Sequence, residues 1–379
     1  MSILPPPTRP KGSVRWDHAA AWRHIDAVLL AAVAALVGFG SLMIYSATRH
    51  NDDPTFFIRR HALFLVLGAV VMVVCAVIDY RKLRDWIPMV YGGITILLLA
   101  VLTPLGTEVN GTQGWFQIGS IQLQPSELAK VIVIIALATY LSHAEQPLDL
   151  RQLAAALLIL GVPMGLIMLQ PDIGTVLVFS VIGLGMLLIG GVRLRHLVIL
   201  ILIGVTGVAV LLHSDVLEDY QVARLTSFIN PEEAESGQVY NIEQSQIAIS
   251  TGGVGGHGFG EGPQTRGGFV PEQQTDFIFT VVGEELGFVG GATLILLFAV
   301  VIWRTWRAAQ LARDRVGVLI CVGVLSMFVF QMFQSIGMSM GIMPVTGIPL
   351  PFISYGGSAL LANCAAMGLV LNVHMRRFS

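Results

Sequence analysis

The chain has 379 residues, of which 54% are hydrophobic and only 12% are charged, about half the charged fraction of a typical soluble protein. Its mean hydropathy of +0.75 excludes an ordinary soluble domain, because too few polar side chains are available to cover its surface, and it also excludes a disordered chain. The formal net charge of −2 provides no basic surface for nucleic acid. The three cysteines lie inside apolar runs, so neither a disulfide framework nor a zinc site is expected.

Ten apolar runs are long enough to cross a bilayer as helices, which takes roughly 18–25 residues. The predicted spans lie at about 26–47, 61–79, 86–104, 126–144, 152–169, 173–190, 196–213, 276–303, 316–338 and 357–374. The sequence therefore predicts an all-α polytopic membrane protein, with a membrane domain at 25–375 and a large extracytoplasmic loop at 214–275 between helices 7 and 8. Residues 1–24 contain no apolar run, so we expect a cytoplasmic tail and no cleaved signal peptide.

Lys and Arg residues set the predicted orientation, since the short cytoplasmic loops of membrane proteins carry an excess of them. With the N-terminus inside, 16 of the 22 fall on the cytoplasmic side and 5 on the outer side, while Lys130 lies within a span. Both termini are therefore predicted to be cytoplasmic, in a bacterial cytoplasmic membrane. The loops at 104–125, 214–275 and 339–356 then lie outside, and the last, uncharged and rich in Pro and Gly, is expected to pack against the membrane face.

Ionisable residues at the outer ends of the spans are candidates for function, because a charge in hydrocarbon costs at least about 2.5 kcal/mol. Glu127 and Lys130 are three residues apart on one helical face, which fits either a helix cap with an internal ion pair or a cavity wall. Asp276 begins the eighth span and is either an N-cap or a general base. Asp172 lies in a tight turn between two spans, and the pair Glu284-Glu285 is expected to bond neighbouring backbone.

The long outer loop offers two further features. Its glycine-rich stretch at 252–258 contains a G-x-G-x-x-G pattern, but no strand–turn–helix unit surrounds it, so a dinucleotide site is rejected. These glycines either bring backbone N–H groups to an anion or allow a tight turn. Arg224 and Arg266 are the cations of this loop and are either solvated or a phosphate clamp. The residues alone thus indicate an acidic outer cavity, which fits an enzyme acting on a lipid-linked substrate or a transporter.

Four long motifs carry a resemblance to a known family. They are Gln-Pro-Ser-Glu-Leu-Ala-Lys at 124–130, Gln-Pro-Asp-Ile-Gly-Thr at 170–175, Thr-Asp-Phe-Ile-Phe at 275–279 with Gly-Glu-Glu-Leu-Gly at 283–287, and Pro-Leu-Pro-Phe-Ile-Ser-Tyr-Gly-Gly-Ser at 349–358. From Asp26 to Arg377 the chain resembles the SEDS family (shape, elongation, division and sporulation), whose members include RodA, FtsW and SpoVE. Its short tails and the Ile-Asp-Tyr-Arg at 78–81 resemble RodA more than FtsW.

The resemblance implies a peptidoglycan glycosyltransferase that polymerises lipid II on the outer face of the membrane, in cell elongation and shape determination. It implies inversion at the anomeric carbon and release of undecaprenyl pyrophosphate. Implied partners are the nascent glycan strand, membrane lipid, a class B penicillin-binding protein and the elongation or division machinery. The family's catalytic aspartate falls on Asp276, its membrane-level Glu and Lys on Glu127 and Lys130, and its Gln-Pro-Asp aspartate on Asp172.

Two cations that the family usually carries are replaced here, one by Gly114 beside Trp115 and one by His257 in the glycine loop. Arg224 and Arg266 are therefore predicted to contribute to holding the pyrophosphate, with backbone N–H groups or a divalent Mg or Mn ion as further candidates. Two alternatives stay open: a lipid II flippase that uses the same cavity without bond formation, and a scaffold that only recruits the penicillin-binding protein. Within the family, a division role of the FtsW type is the alternative to elongation.

The predicted orientation can be tested by cysteine labelling. A membrane-impermeant maleimide added from outside should modify a cysteine placed at Ser236 and spare one placed at Ala309, because the positive-inside rule puts these positions on opposite sides. The three native cysteines are expected to be inert, and the unmodified chain is the control. The reverse labelling pattern would overturn the orientation.

Overall fold

The computed structural model describes residues 24–50, 53–109, 111–119, 121–212 and 236–378. Its helices are α1 (Ala27–Thr48), α2 (Phe56–Val77), α3 (Ile87–Val101), α4 (Pro125–His143), α5 (Leu150–Met168), α6 (Ile173–Ile189), α7 (Leu194–Leu212), α8 (Ser236–Thr251), α9 (Pro263–Gly267), α10 (Ile278–Leu311), α11 (Arg315–Ser339) and α12 (Gly357–Met375). A 3₁₀ turn lies at Lys82–Asp85, and three short strands are β1 (Thr107–Val109), β2 (Thr112–Ile118) and β3 (Ile121–Leu123).

The predicted spans are confirmed within the described part of the chain, and the protein is a multi-pass membrane protein. Seven helices are long and apolar enough to cross a membrane, namely α1, α2, α4, α5, α10, α11 and α12, and α3, α6 and the described part of α7 are shorter apolar helices. The largest differences from the prediction are that α2 begins five residues earlier and α10 ends eight residues later. Both extensions carry arginines, which hydropathy places outside a span although the backbone there remains helical.

The C-terminal helix α12 is the centre of the bundle, and 94% of its apolar stretch is buried. Its closest neighbour is α2, and the two backbones approach through small residues. A Cβ built on Gly368 would lie 2.4 Å from the carbonyl oxygen of Met72, and one on Gly68 would lie 2.9 Å from Cys364 Sγ. This small-residue packing is typical of membrane helices, where close van der Waals contact stabilises the interface.

Helix α10 is broken at Gly287, whose φ of 61° and ψ of −157° are not helical. The break frees two carbonyls and two N–H groups, and the glycine-rich stretch pairs with all four. The N–H groups of His257 and Gly258 donate to the carbonyls of Glu284 and Glu285 at 3.1 and 2.9 Å. The N–H groups of residues 288 and 289 donate to the carbonyls of residues 253 and 254 at 2.9 and 3.1 Å. The glycines at 252–258 therefore form a structural turn against α10, which is the second of the two alternatives predicted for them.

The connections between helices gather at the two ends of the bundle. One end carries the three strands, α8, α9 and residues 340–356, and we call it the site face; it is the predicted outer face. The strands form an antiparallel sheet in the order β1-β2-β3, which the helical pattern did not predict. At the opposite end, Arg304 pairs with the buried Asp26 at 2.7 Å, and Asp314 accepts hydrogen bonds from Tyr80 and Arg81 at 2.7 and 3.0 Å.

The uncharged segment 340–356 is inserted into the bundle rather than lying on the membrane face as predicted. Ile348, Leu350, Phe352 and Ile353 are all buried. Phe352 stacks on a ring of α11 with 5.6 Å between centroids, and the backbone of this segment approaches α1 where a glycine, Gly40, leaves room for it. These four apolar side chains are buried by helices, which removes them from both water and lipid.

Candidate active site

A cavity of about 470 Å³ lies at the site face. Four parts of the chain form its wall. The first three are the first turns of α2, the sheet with the start of α4, and the start of α6. The fourth is made of two segments, which lead into α10 and α12. The residues that line it are Phe56, Phe57, Arg60, Phe64, Val109, Thr112, Trp115, Gln122, Gln124, Glu127, Lys130, Asp172, Thr175, Val178, Glu272, Gln274, Thr275, Asp276, Thr346, Gly347, Ile348, Pro349, Tyr355, Gly356, Gly357, Ser358 and Ala359. Four of the six predicted site residues are among them: Glu127, Lys130, Asp172 and Asp276.

Glu127 and Lys130 form an ion pair on the first turns of α4. Lys130 Nζ lies 2.7 Å from Glu127 Oε1, and both residues are at most 3% exposed. The spacing of three residues brings the side chains together, as their place on one helical face predicts. The second oxygen, Glu127 Oε2, is buried and has no hydrogen-bond partner among the described residues. The pair therefore combines the two predicted alternatives, since it is an internal ion pair and also part of the cavity wall.

Asp172 caps α6 and ties it to the segment before α4. Its Oδ1 accepts from the backbone N–H of Thr175 at 2.9 Å, and its Oδ2 accepts from Gln124 Nε2 at 3.3 Å. The backbone N–H of Gln124 in turn donates to Ser358 Oγ at 2.9 Å, at the start of α12. Asp172 thus connects three of the four parts of the wall through hydrogen bonds, which favours a supporting role.

Asp276 lies at the end of a turn before α10, and the N-cap position of that helix is held by Phe277. Asp276 therefore directly precedes the N-cap residue. Its backbone N–H donates to the carbonyl of Glu272 at 3.0 Å, and Glu272 has a left-handed φ of 48° that closes the turn. The half-buried carboxylate lies against Gly347 across the cavity wall: a Cβ built on this glycine would be 3.4 Å from Asp276 Oδ2. Close approach here is possible because Gly347 has no side chain, and its φ of 68° also favours glycine.

Arg60 is the cavity cation that the motifs did not indicate. It lies four residues after Phe56, and Phe56, Phe57, Arg60 and Phe64 share the face of α2 that lines the cavity. Its guanidinium lies 4.9 Å from the centroid of the Phe56 ring. Burial raises the pKa of the Tyr355 phenol, and the Arg60 charge acts in the opposite direction. The spacing of these residues on one helical face is the feature of the sequence that could have indicated Arg60.

Of the two predicted loop cations, the structure describes Arg266, which does not line the cavity. Arg266 pairs with Glu261 at 2.5 Å and donates to the carbonyl of Gly260 at 3.0 Å, so it holds the loop together. Arg224 lies outside the described residues. Glu284 accepts from backbone N–H groups of α9, as predicted, whereas Glu285 accepts from a side chain of α1, the Ser46 hydroxyl, at 2.7 Å.

The acids of the cavity do not build a metal centre by themselves. Within the described ranges, no three His, Cys, Asp or Glu side chains lie close enough together to hold a metal ion. Glu127 is already paired with Lys130, and Asp172 is engaged by its two donors. A Mg or Mn ion would therefore need most of its ligands from a bound substrate.

Comparisons with known proteins fit this arrangement of helices and cavity. A family model described as "Cell cycle protein", covering FtsW, RodA and SpoVE, matches residues 24–378. Stage V sporulation protein E of Bacillus subtilis is 38% identical over 92% of this chain and 96% of its own length. Peptidoglycan glycosyltransferase MrdB of Escherichia coli K12 is 36% identical, over 97% of each chain.

Solved structures agree with the sequence relatives. A chain from a peptidoglycan synthase complex, studied for the coordination of polymerization and crosslinking, has a TM-score of 0.79 and 32% identity, covering 94% of this chain and all of the other. The rod shape determining protein RodA of Thermus thermophilus has a TM-score of 0.72 and 30% identity, covering 94% of this chain and 99% of the other.

The fold and the charged cavity define a polytopic membrane enzyme, and the prediction of the glycosyltransferase class is confirmed. The chain belongs to the SEDS family of cell cycle proteins, as its motifs predicted.

The ion pair at the cavity wall can be tested with a double-mutant cycle. Glu127→Gln and Lys130→Met each leave one buried charge without its partner, and breaking such a pair costs about 3–5 kcal/mol. We expect each single variant to lower the apparent melting temperature and the polymerising activity, and the double variant to lose less than the sum of both. Strict additivity, measured by thermal unfolding in detergent, would show that the two residues do not interact.

Proposed function

We propose that the chain polymerises lipid II into glycan strands, with Asp276 as general base. The observation that carries the proposal is the single cavity that joins a half-buried carboxylate on the turn before α10 with two cationic side chains, Lys130 and Arg60, at the site face. A carboxylate next to cations suits a reaction that takes a proton from a hydroxyl while a pyrophosphate departs.

In the proposed reaction Asp276 takes the proton of the sugar 4-hydroxyl of lipid II as its oxygen attacks the anomeric carbon of the growing chain. The bond from that carbon to the pyrophosphate oxygen breaks, and undecaprenyl pyrophosphate leaves with the bonding electrons. Direct attack inverts the configuration, so an α-linked donor gives a β-linked glycan. A positioned base typically contributes about 10²–10⁴ in rate. One carboxylate is sufficient here, whereas glycoside hydrolysis commonly uses two, because pyrophosphate is already a good leaving group.

The leaving pyrophosphate needs its negative charge neutralised more than it needs a proton. Charge-assisted hydrogen bonds from Arg or Lys do this, and a guanidinium can bind two phosphate oxygens at once. Arg60 and Lys130 are the cations assigned to this role, since both side chains line the cavity. Lys130 is already paired with Glu127, so Arg60 is assigned the larger part in neutralising the pyrophosphate charge.

The proposed setting is the outer face of a bacterial cytoplasmic membrane, with both termini cytoplasmic. The excess of Lys and Arg at the end opposite the cavity supports this orientation. The proposed partner is a class B penicillin-binding protein, supported by the similarity to a chain of a peptidoglycan synthase complex. A role in cell elongation rather than division is supported by the Ile-Asp-Tyr-Arg segment, whose Tyr80 and Arg81 bind Asp314 before α11.

The base assignment predicts the behaviour of Asp276→Asn. This change keeps the shape of the side chain but cannot accept the hydroxyl proton, so we expect folded protein, bound to its penicillin-binding partner, that makes no glycan polymer. The measurement is the conversion of fluorescent lipid II on a gel by the purified complex, with wild type as the control. Near-normal polymer from Asp276→Asn would reject the proposal and favour a flippase or a scaffold.

The cation assignment predicts different effects at two adjacent arginines. Arg60→Gln removes a charged partner of the phosphates, and a hydrogen bond to a charged group contributes about 1.5–3 kcal/mol, so we expect turnover to fall by roughly 10- to 100-fold. Arg60→Lys should recover part of it. Arg59→Gln is the matched control, because Arg59 is exposed and does not line the cavity. Equal turnover in the two glutamine variants would place the phosphates elsewhere.

A further inference from the structure

The turn that carries Asp276 has a buried side that faces away from the cavity. Glu272, Gln274 and Thr275 line the cavity together with Asp276. Gln273 does not, and it is only 4% exposed behind the turn. A glutamine is rarely buried to this extent unless its amide is hydrogen-bonded. The contacts of this amide therefore show what holds the turn from behind.

The Gln273 amide joins two buried hydroxyls. Its Nε2 donates to Thr265 Oγ1 at 3.1 Å and to Thr280 Oγ1 at 3.0 Å. Thr265 lies in α9, and its hydroxyl donates to Glu284 Oε2 at 2.7 Å. Thr280 lies in the first turn of α10, and its hydroxyl donates to the carbonyl of Phe277 at 2.6 Å. The four side chains thus form one buried chain of hydrogen bonds that begins at Glu284 and ends beside Asp276.

The direction of this chain is fixed by the number of protons available. A threonine hydroxyl has one proton to donate, and each of these two hydroxyls gives it to an oxygen, Glu284 Oε2 or the Phe277 carbonyl. Both can then only accept from residue 273, so the group that faces them must carry two N–H donors. Glu284 fixes the other end, because its oxygens also accept from the backbone N–H groups of Gln264 and Thr265 at 2.6 and 3.0 Å. The amide of Gln273 satisfies this requirement, and a carboxylate cannot.

We propose that Gln273 is a positioning residue for Asp276, which rests on the proposed glycosyl transfer. The turn is held in front by the backbone N–H of Tyr355, which donates to the carbonyl of Gln274 at 2.9 Å. It is held from behind by Gln273. The carboxylate of Asp276, three residues further along the chain, is thereby fixed beside Gly347 at the cavity wall. A displacement of about 1 Å in a catalytic group can cost about 10²-fold in rate. Loss of the rear contact therefore lowers turnover without removing any group that touches the substrate.

The test compares Gln273→Met and Gln273→Glu in the full chain with its partner. Both should lower kcat for fluorescent lipid II at least tenfold, while KM and the folded yield stay within twofold of wild type. Gln273→Glu should be the slower variant, because it places an acceptor against two hydroxyls whose protons are already used. The matched control is Gln246→Met, an exposed residue of α8 whose amide donates to the carbonyl of Met340 and which lies outside the cavity. We expect it to keep wild-type kcat.

A second measurement asks whether Gln273 acts through Asp276. If it does, Gln273→Met should lower kcat while KM and the binding of the penicillin-binding partner stay unchanged. Wild-type kcat in both Gln273 variants would overturn the positioning role and leave the glycosyl transfer standing. Loss of folded protein, or a rise in KM that accounts for the whole effect, would also overturn it, since the role would then be structural. Polymer from Asp276→Asn would reject the proposed function, and the positioning role with it.

Discussion

Backbone hydrogen bonding without water is the constraint on which the rest of this structure depends. Inside a bilayer each N–H and C=O group must find a partner within the protein, so a helix can be interrupted only where other backbone replaces its lost bonds. The break in α10 at Gly287 satisfies this condition, because residues 253–258 pair with the four groups that it frees. A Cβ on Gly256 would lie 2.1 Å from the carbonyl oxygen of Glu285. Glycine is thus favoured there both by the close approach and by its φ of 74°.

This pairing fixes the connection between α8 and α10, and that connection carries the proposed catalytic residue. Glu284 and Glu285 lie beside the break, and their side chains connect α10 to two further helices. Glu284 draws in α9 through two backbone N–H groups, and Glu285 binds α1 through Ser46. The turn at 272–276 then lies between α9 and the start of α10, anchored on both sides.

The buried acids divide into two groups by the number of donors around them. Glu284 and Asp172 have donors for both carboxylate oxygens, and Glu285 accepts the one hydroxyl proton of Ser46, so all three serve to connect segments. Glu127 keeps one buried oxygen without a hydrogen-bond partner among the described residues, although it is paired with Lys130. An unsatisfied buried oxygen is costly, and natural proteins keep such groups mainly where a ligand or a reaction uses them. Glu127 is therefore the buried acid of the cavity wall that keeps an oxygen available for a further hydrogen bond.

The sequence by itself determined the fold class, the approximate ends of the ten apolar helices and the residues of four cavity motifs. It could do so because apolar length and membrane-level charge are local properties of the chain. Which residue holds the N-cap of α10 and which partner Arg266 binds were decided by tertiary structure, since each depends on which segment comes to lie beside which. The place of Arg60 in the cavity wall also depends on tertiary structure, because the packing of α2 brings it there. The same is true of Gln273, whose two hydroxyl partners lie on separate segments. Spacing along a helix predicts which side chains share a face, but only the packing of distant segments decides what that face meets.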